Sequence, residues 1–237
     1  LRGGTPTTLA SGFEITHFAV GAKSVVYTNY TGCVHTSTGH VGYELMSVPI
    51  EGGTPTTLFS DFSEEPYPAG VTIDQRNVYW THGRFPPDVC QISVYTGEGV
   101  LGGTVLKIPL GGGTPTTLIS GRSEPRGIVV DETNVYWVDG RPSTVMSVPI
   151  EGGTPRTLAS CQDAFYSCMN VTMDRTYVYW TADGNLQRTP RGGGVPEILV
   201  TATISVGEFA VDATNLYWVD LGDGSPGAAS LMKLRLH

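Results

Sequence analysis

Hydrophobic positions along this chain fall in short runs of β-branched and aromatic residues, broken by Gly, Pro, Asn and Asp. Four such runs make one repeat. The first has the form Gly127-Ile128-Val129-Val130-Asp131 and the second the form Val135-Tyr136-Trp137-Val138. A third, Val145-Met146-Ser147-Val148-Pro149-Ile150, leads into a glycine pair and a fourth run, as in Gly152 to Leu158. The second run recurs at Val25 to Thr28, Val78 to Thr81, Val178 to Thr181 and Leu216 to Val219. The glycine-pair phrase recurs at Gly3 to Leu9, Gly52 to Leu58, Gly112 to Leu118 and, in a worn copy, Gly193 to Leu199.

Four short strands repeating about every 40–50 residues are the pattern of one blade of a β-propeller. The predicted fold is therefore all-β, a five-bladed β-propeller of four-stranded antiparallel blades, forming a single domain over residues 1–237. Pro in the third and fourth runs suits strands near a blade's outer edge, where a missing N–H is tolerated. The last repeat supplies three strands, and the orphan run Thr5 to Ser11 is the natural fourth. The sequence thus predicts 3+1 closure, with the N-terminal strand completing the last blade and removing an open edge.

The second-run phrases Tyr79-Trp80-Thr81-His82 and Tyr136-Trp137-Val138-Asp139 resemble the YWTD and NHL propeller repeats. The linker Val48 to Pro55 is similar to that of bacterial envelope proteins of the same superfamily. The resemblance covers the whole chain and implies a propeller; such propellers include receptors, scaffolds, lyases and lactonases.

Composition narrows the partners. A net charge of −8, with 14 Lys and Arg that form no cluster, argues against nucleic acid. No apolar run approaches membrane-spanning length, so no membrane insertion is expected. The start at Leu1-Arg2-Gly3-Gly4, inside a repeat, reads as a mature or trimmed terminus. The four cysteines are expected to pair as Cys33–Cys90, inside two long insertions of adjacent blades, and as Cys161–Cys168, across one inter-blade linker. Disulfides persist in oxidising compartments, which makes the expected location extracellular or periplasmic, in the cell envelope.

Repeated residues are expected to be structural. The four Trp, with Tyr27 in their place in the first blade, should pack between blades. Asp74, Asp131, Asp174 and Asp212 should cap the turn after the first strand. Function should lie where the blades differ, on the face carrying the unequal connections Asn29 to Tyr43 and His82 to Gly103. At the mouth of the first strand, the second and third blades have Gly70 and Gly127, whereas the others have His17, Asn170 and Glu208. These three could hold a divalent cation such as calcium, or form an acid–base pair. The arrangement resembles the axial metal site of strictosidine-synthase-like propellers, whose ligands are acidic and amide-rich. A wider rim holds His82, Asp139 and Asp220, for which capping of a strand end is the alternative role. Arg84, Arg141, Tyr67, Tyr166, His35 and His40 lie in the variable loops as further ligand contacts.

No motif for a catalytic nucleophile, a nucleotide loop or a zinc protease is present. The sequence supports, first, a secreted or envelope-exposed binding module, a monomer that recognises a protein, peptide or glycan through its variable loop face. Second comes a metal-dependent small-molecule hydrolase, lactonase-like, or a lyase, with its site at the central channel mouth.

Overall fold

The computed structural model describes residues 5–12, 14–33, 41–62, 66–84, 101–161, 168–201, 206–222, 225 and 228–236. They form five antiparallel sheets. The first holds β1 (Glu14–Val20), β2 (Ser24–Cys33), β3 (Val41–Pro49) and β4 (Thr56–Asp61). The second holds β5 (Pro66–Ile73), β6 (Asn77–Arg84), β7 (Leu101–Pro109) and β8 (Thr116–Ser123). The third holds β9 (Arg126–Val130), β10 (Asn134–Gly140), β11 (Ser143–Pro149) and β12 (Arg156–Ser160). The fourth holds β13 (Cys168–Met173), β14 (Tyr177–Ala182), β15 (Asn185–Pro190) and β16 (Glu197–Val200). The fifth holds β17 (Val206–Val211), β18 (Asn215–Asp220) and β19 (Ser230–Arg235). Each sheet is a meander in chain order, and the innermost strands β1, β5, β9, β13 and β17 pack in succession. This is the expected five-bladed β-propeller.

The Tyr-Trp pair explains the packing. Adjacent residues of a strand point to opposite faces of its sheet. Trp137 of β10 therefore packs back against Tyr79, Val105 and Leu118 of the second sheet, while Tyr136 packs forward with Trp180 of the fourth. Trp80 meets Val26 and Tyr43 of the first sheet, and Trp218 meets Tyr179 of the fourth. Four buried clusters thus join five sheets, each straddling one boundary between neighbours.

The aspartates cap the turns as expected, and also do more. In the turn after β5, β9, β13 and β17, one carboxylate oxygen accepts the backbone N–H groups two and three residues on. The other oxygen accepts the hydroxyl of the tyrosine five residues on: Tyr79 to Asp74 at 2.7 Å, Tyr136 to Asp131 at 2.8 Å, Tyr179 to Asp174 at 2.6 Å and Tyr217 to Asp212 at 2.9 Å. For Tyr79, Tyr136 and Tyr179 the ring that packs against the next blade is thereby fixed to its own blade's turn. Arg191 adds a 2.9 Å bond to Asp131 from the following blade.

One expectation is corrected. Thr5–Gly12 carry no strand pairing, and the fifth sheet has three strands, not the 3+1 set. The reason lies in what anchors an outer strand. Leu58, Leu118 and Leu158 are buried at one shared position of it, and each plugs into the cluster shared with the next blade. Between the fifth and first sheets, no such cluster exists among the described residues. Phe18 and Val20 of β1 are 67% and 58% exposed, and Leu231 of β19 is 81% exposed. Leu9 and Ala10 are only half-buried and belong to no buried cluster among the described residues, so little offsets the roughly 1–2 kcal/mol per residue that ordering the segment costs.

Three outcomes follow. Trp137→Ala should lower the unfolding free energy by about 3–5 kcal/mol, the range for emptying a buried aromatic site, read from the denaturant midpoint. Deleting residues 1–11 should change it by less than about 0.5 kcal/mol; a loss of several would show that the segment pairs with β19. The third concerns pH. Burial pushes Asp74, Asp131 and Asp174 up, but their backbone and tyrosine hydrogen bonds win and hold all three below the ordinary carboxylate range. A carboxylate with a folded pKa below its unfolded one stabilises fully above the unfolded value, and that contribution is lost as pH falls through the folded value. Thermal melts between pH 6 and 2 should therefore show stability dropping below about pH 4. Asp131→Asn should flatten that dependence, because it removes a carboxylate held down by Thr133, Asn134 and Tyr136.

Candidate functional site

All five inner strands carry a β-bulge at one shared point. The ladder slips between Ile15 and Phe18, Pro68 and Gly70, Met169 and Val171, and Val206 and Phe209 of β1, β5, β13 and β17. In β9 the slip skips Gly127. A bulge bends the strand and re-aims the extra residue. Here the residues at or beside it are His17, Gly70, Gly127, Asn170 and Glu208, and all five line one axial cavity of about 700 Å³. That volume is within the usual range for a small-molecule site. Gly83, at the end of β6 where the long second insertion departs, also lines it, so the cavity opens on the face of the variable connections.

The two glycines have a steric cause. A Cβ at Gly70 would lie 3.2 Å from the Cα of Gly127, and one at Gly127 would lie 3.3 Å from the backbone N of Val171. Gly127 also has φ +40°, which glycine adopts without penalty. The second, third and fourth inner strands approach one another closely here. Asn170 has a similar φ of +41°, which Asn tolerates better than most residues.

His17 is half-buried, and its Nδ1 lies 3.2 Å from Thr16 Oγ1. Its backbone N–H donates to the buried Thr28 hydroxyl at 3.1 Å. Burial lowers the His17 pKa, and the nearby Glu208 carboxylate opposes that without reversing it. The imidazole is neutral at pH 7. Together with Asn170, the set offers one carboxylate, one amide and one imidazole. Calcium takes 6–8 oxygen ligands, so these residues alone do not make a calcium site. Among the described residues, no group of three or more His, Cys, Asp and Glu is placed to share a metal ion.

The sequence did not single out Glu124, in the short linker between β8 and β9. Its side chain lines the cavity and only 8% of the residue is exposed. Oε2 accepts a 3.1 Å bond from Arg126 Nη2, while Oε1 is buried with no hydrogen-bond partner among the described residues. Its φ is +49°, a left-handed conformation that costs a non-glycine residue of order 1–3 kcal/mol. The available signal was the Glu124-Pro125-Arg126 triplet just before the bulge glycine, in the most compact linker of the ring.

The outer rim is built differently. Asp139 is 1% exposed and its carboxylate is occupied: Arg122 binds Oδ2 through both Nε and Nη2, and Trp137 Nε1 donates to Oδ1 at 2.8 Å. Burial pushes this carboxyl upward, against the pull of Arg122 and Trp137. The His82 ring packs 5.9 Å from that of Tyr43, whose hydroxyl accepts Trp80 Nε1 at 2.9 Å. Asp220 caps the end of β18 by accepting the N–H of Gly222 at 2.9 Å. Arg141 is partly buried in the turn between β10 and β11. Tyr67 and Arg84 belong to β5 and β6, opposite Gly83 and Pro66. Tyr166, His35 and His40 lie outside the described residues. Cys161 and Cys168 form the expected disulfide across the linker between the third and fourth sheets, with Cα atoms 5.8 Å apart. Of the other expected pair, Cys33 ends β2 opposite Val41, and Cys90 lies outside the described residues.

No protein-family model matches the sequence, and no curated protein matches it either. Solved structures do match. A chain of the nidogen/laminin complex superposes with a TM-score of 0.64 at 19% identity, over 87% of this chain and 72% of that one. A gluconolactonase from Xanthomonas campestris gives 0.56 at 12% identity, over 90% and 79%. A prolyl endopeptidase gives 0.59 at 15% identity over 92% of this chain, which spans only 32% of that longer protein. At these identities the likeness is one of fold: the chain is built as a β-propeller, similar to propellers that bind and to propellers that catalyse.

Proposed function

We propose that this chain is a binding module, exposed in an extracellular or periplasmic compartment, that recognises a protein, peptide or glycan with its loop-rich face. The observation that carries the reading is the axial cavity. It opens at the end of the ring from which the second long connection departs, at Gly83, and is lined at the bulges by residues that differ from blade to blade. A scaffold that repeats its core and varies only one mouth has its specificity there. The Cys161–Cys168 bridge, which ties down a linker on that face, fits an oxidising compartment. A propeller seen in a nidogen/laminin complex is in keeping with a protein ligand.

The second reading is a lactonase-like hydrolase or a lyase, with a divalent cation at His17, Asn170 and Glu208. Glu208 lies near enough to His17 to act on its titration, which favours it. The thin donor set disfavours it.

Purified protein should be probed on a random peptide library and a glycan array, with elemental analysis of the same sample. The expected result is selective binding on one of the two, weakened at least tenfold by Glu208→Gln, with no stoichiometric metal. Stoichiometric divalent metal that Glu208→Gln removes, with no binding on either array, would overturn the binding-module reading in favour of the enzyme.

A further inference from the structure

We propose that a second copy of this chain completes the fifth blade: each of two copies adds its residues 5–11 as the fourth strand on the other's β19. The surface involved lies apart from the axial cavity, and the inference does not depend on the ligand assigned there.

The fifth sheet ends in an open edge. Among the described residues β19 pairs with β18 alone, and residues 230–233 are all exposed. The third strands of the other sheets, β3, β7, β11 and β15, each carry a fourth strand, and these show what fits such an edge. Thr57 lies opposite Met46 in the first sheet, and Thr157 opposite Met146 in the third. In both, the threonine hydroxyl reaches the methionine Sδ, at 3.2 and 3.3 Å. Trp218 faces Met232 as Trp137 faces Met146, so Met232 holds the same position in β19. The matching strand is also in the chain. Residues 5–11 differ from residues 54–60 only at Ala10, and from residues 154–160 only at Thr7, yet they carry no ladder. The register follows from the sister sheets, with Thr8 opposite Met232 and Thr7 opposite Lys233. Lys233 is no obstacle, because Lys107 at the same point of β7 pairs with Thr116.

Within one chain these two halves stay apart. A Cβ on Gly12 would run into the Asn29 side chain, so the segment leaves from the first sheet, beside β2. That sheet and the fifth leave the seam between them uncovered. Ile15, Phe18 and Val20 of β1 and Leu231 and Met232 of β19 make up half of the ten large apolar side chains that the described residues expose. Apolar exposure concentrated at one seam marks an interaction surface. A second copy brings its first sheet with its segment, so Phe18 and Val20 of one copy come against Leu231 and Met232 of the other. Their burial supplies the apolar contact that a lone strand lacks. The contact is not acidic, despite the net charge of −8, since residues 5–11 carry no charge and β19 contributes Lys233 and Arg235. Donor and acceptor flank the same seam. One twofold axis therefore closes both exchanges and leaves no edge for a third copy.

Sedimentation equilibrium of the whole chain across the micromolar range should show monomer and dimer and no larger species. Leu9→Asp on the donor side and Met232→Asp on the acceptor side should each raise the dissociation constant at least tenfold. Removing residues 1–11 should leave a folded monomer. A synthetic peptide of residues 3–12 should then bind that monomer one to one and, in excess, split the full-length dimer. Should a point variant fail to fold, the truncated chain and the peptide decide. A parent that stays monomeric throughout overturns the exchange: peptide binding would then assign the edge to a strand of another protein, and a melting temperature lowered by truncation would assign it to the chain's own segment. A dimer that survives truncation overturns it as well, since the copies then meet elsewhere.

Discussion

The structure depends on one contact made four times: a tryptophan from one sheet set against the tyrosine or valine face of the sheet before it. Neither side chain could be buried within its own sheet, since a single twisted sheet has nothing on its flanks. Burial therefore requires a neighbour, and the neighbour in turn requires the next. At three of the four boundaries the aspartate in the inner turn adds to the contact, because it holds the hydroxyl of Tyr79, Tyr136 or Tyr179 while the ring leans across the boundary. Where the partner is missing, between the fifth and first sheets, apolar residues of β1 and β19 stay in contact with solvent, and the outer strand that would have been anchored there has no pairing.

Much of this was legible in the residues. Tyr-Trp at matching points of successive repeats specified the blade boundaries, and Asp131 with Asn134 specified the turn. The glycine-pair phrase marked the outer strands. Spacing also gave the Cys161–Cys168 bridge, since two cysteines separated by seven positions bracket one linker. The closure was misjudged for a physical reason. Strand propensity in Thr5 to Ser11 reports what a segment can do in a ladder, whereas its pairing depends on a core that other residues must first build.

The site was half legible. Aligning the repeats placed His17, Asn170 and Glu208 at one mouth, and the structure brings them to one cavity. Their alignment could not show that Gly70 and Gly127 are there because adjacent inner strands nearly touch. Nor could it separate Asp139, enclosed by Arg122 and Trp137, from Asp220, which caps a strand end at the surface. Glu124 escaped because it belongs to no repeated position: its burial beside Arg126 is a property of coordinates alone.

The bulge in each inner strand has a consequence for how such a protein can change. The neighbouring strand holds Gly70 and Gly127 to glycine, but elsewhere an extra residue outside the ladder contributes little to strand pairing, so His17, Asn170 and Glu208 can all stand at the same point of the same scaffold. Mutation there rewrites what the mouth offers a ligand while the inter-blade contacts persist. Affinity and foldability are inherited from separate residues, and new specificities can arise by single exchanges without passing through unstable intermediates.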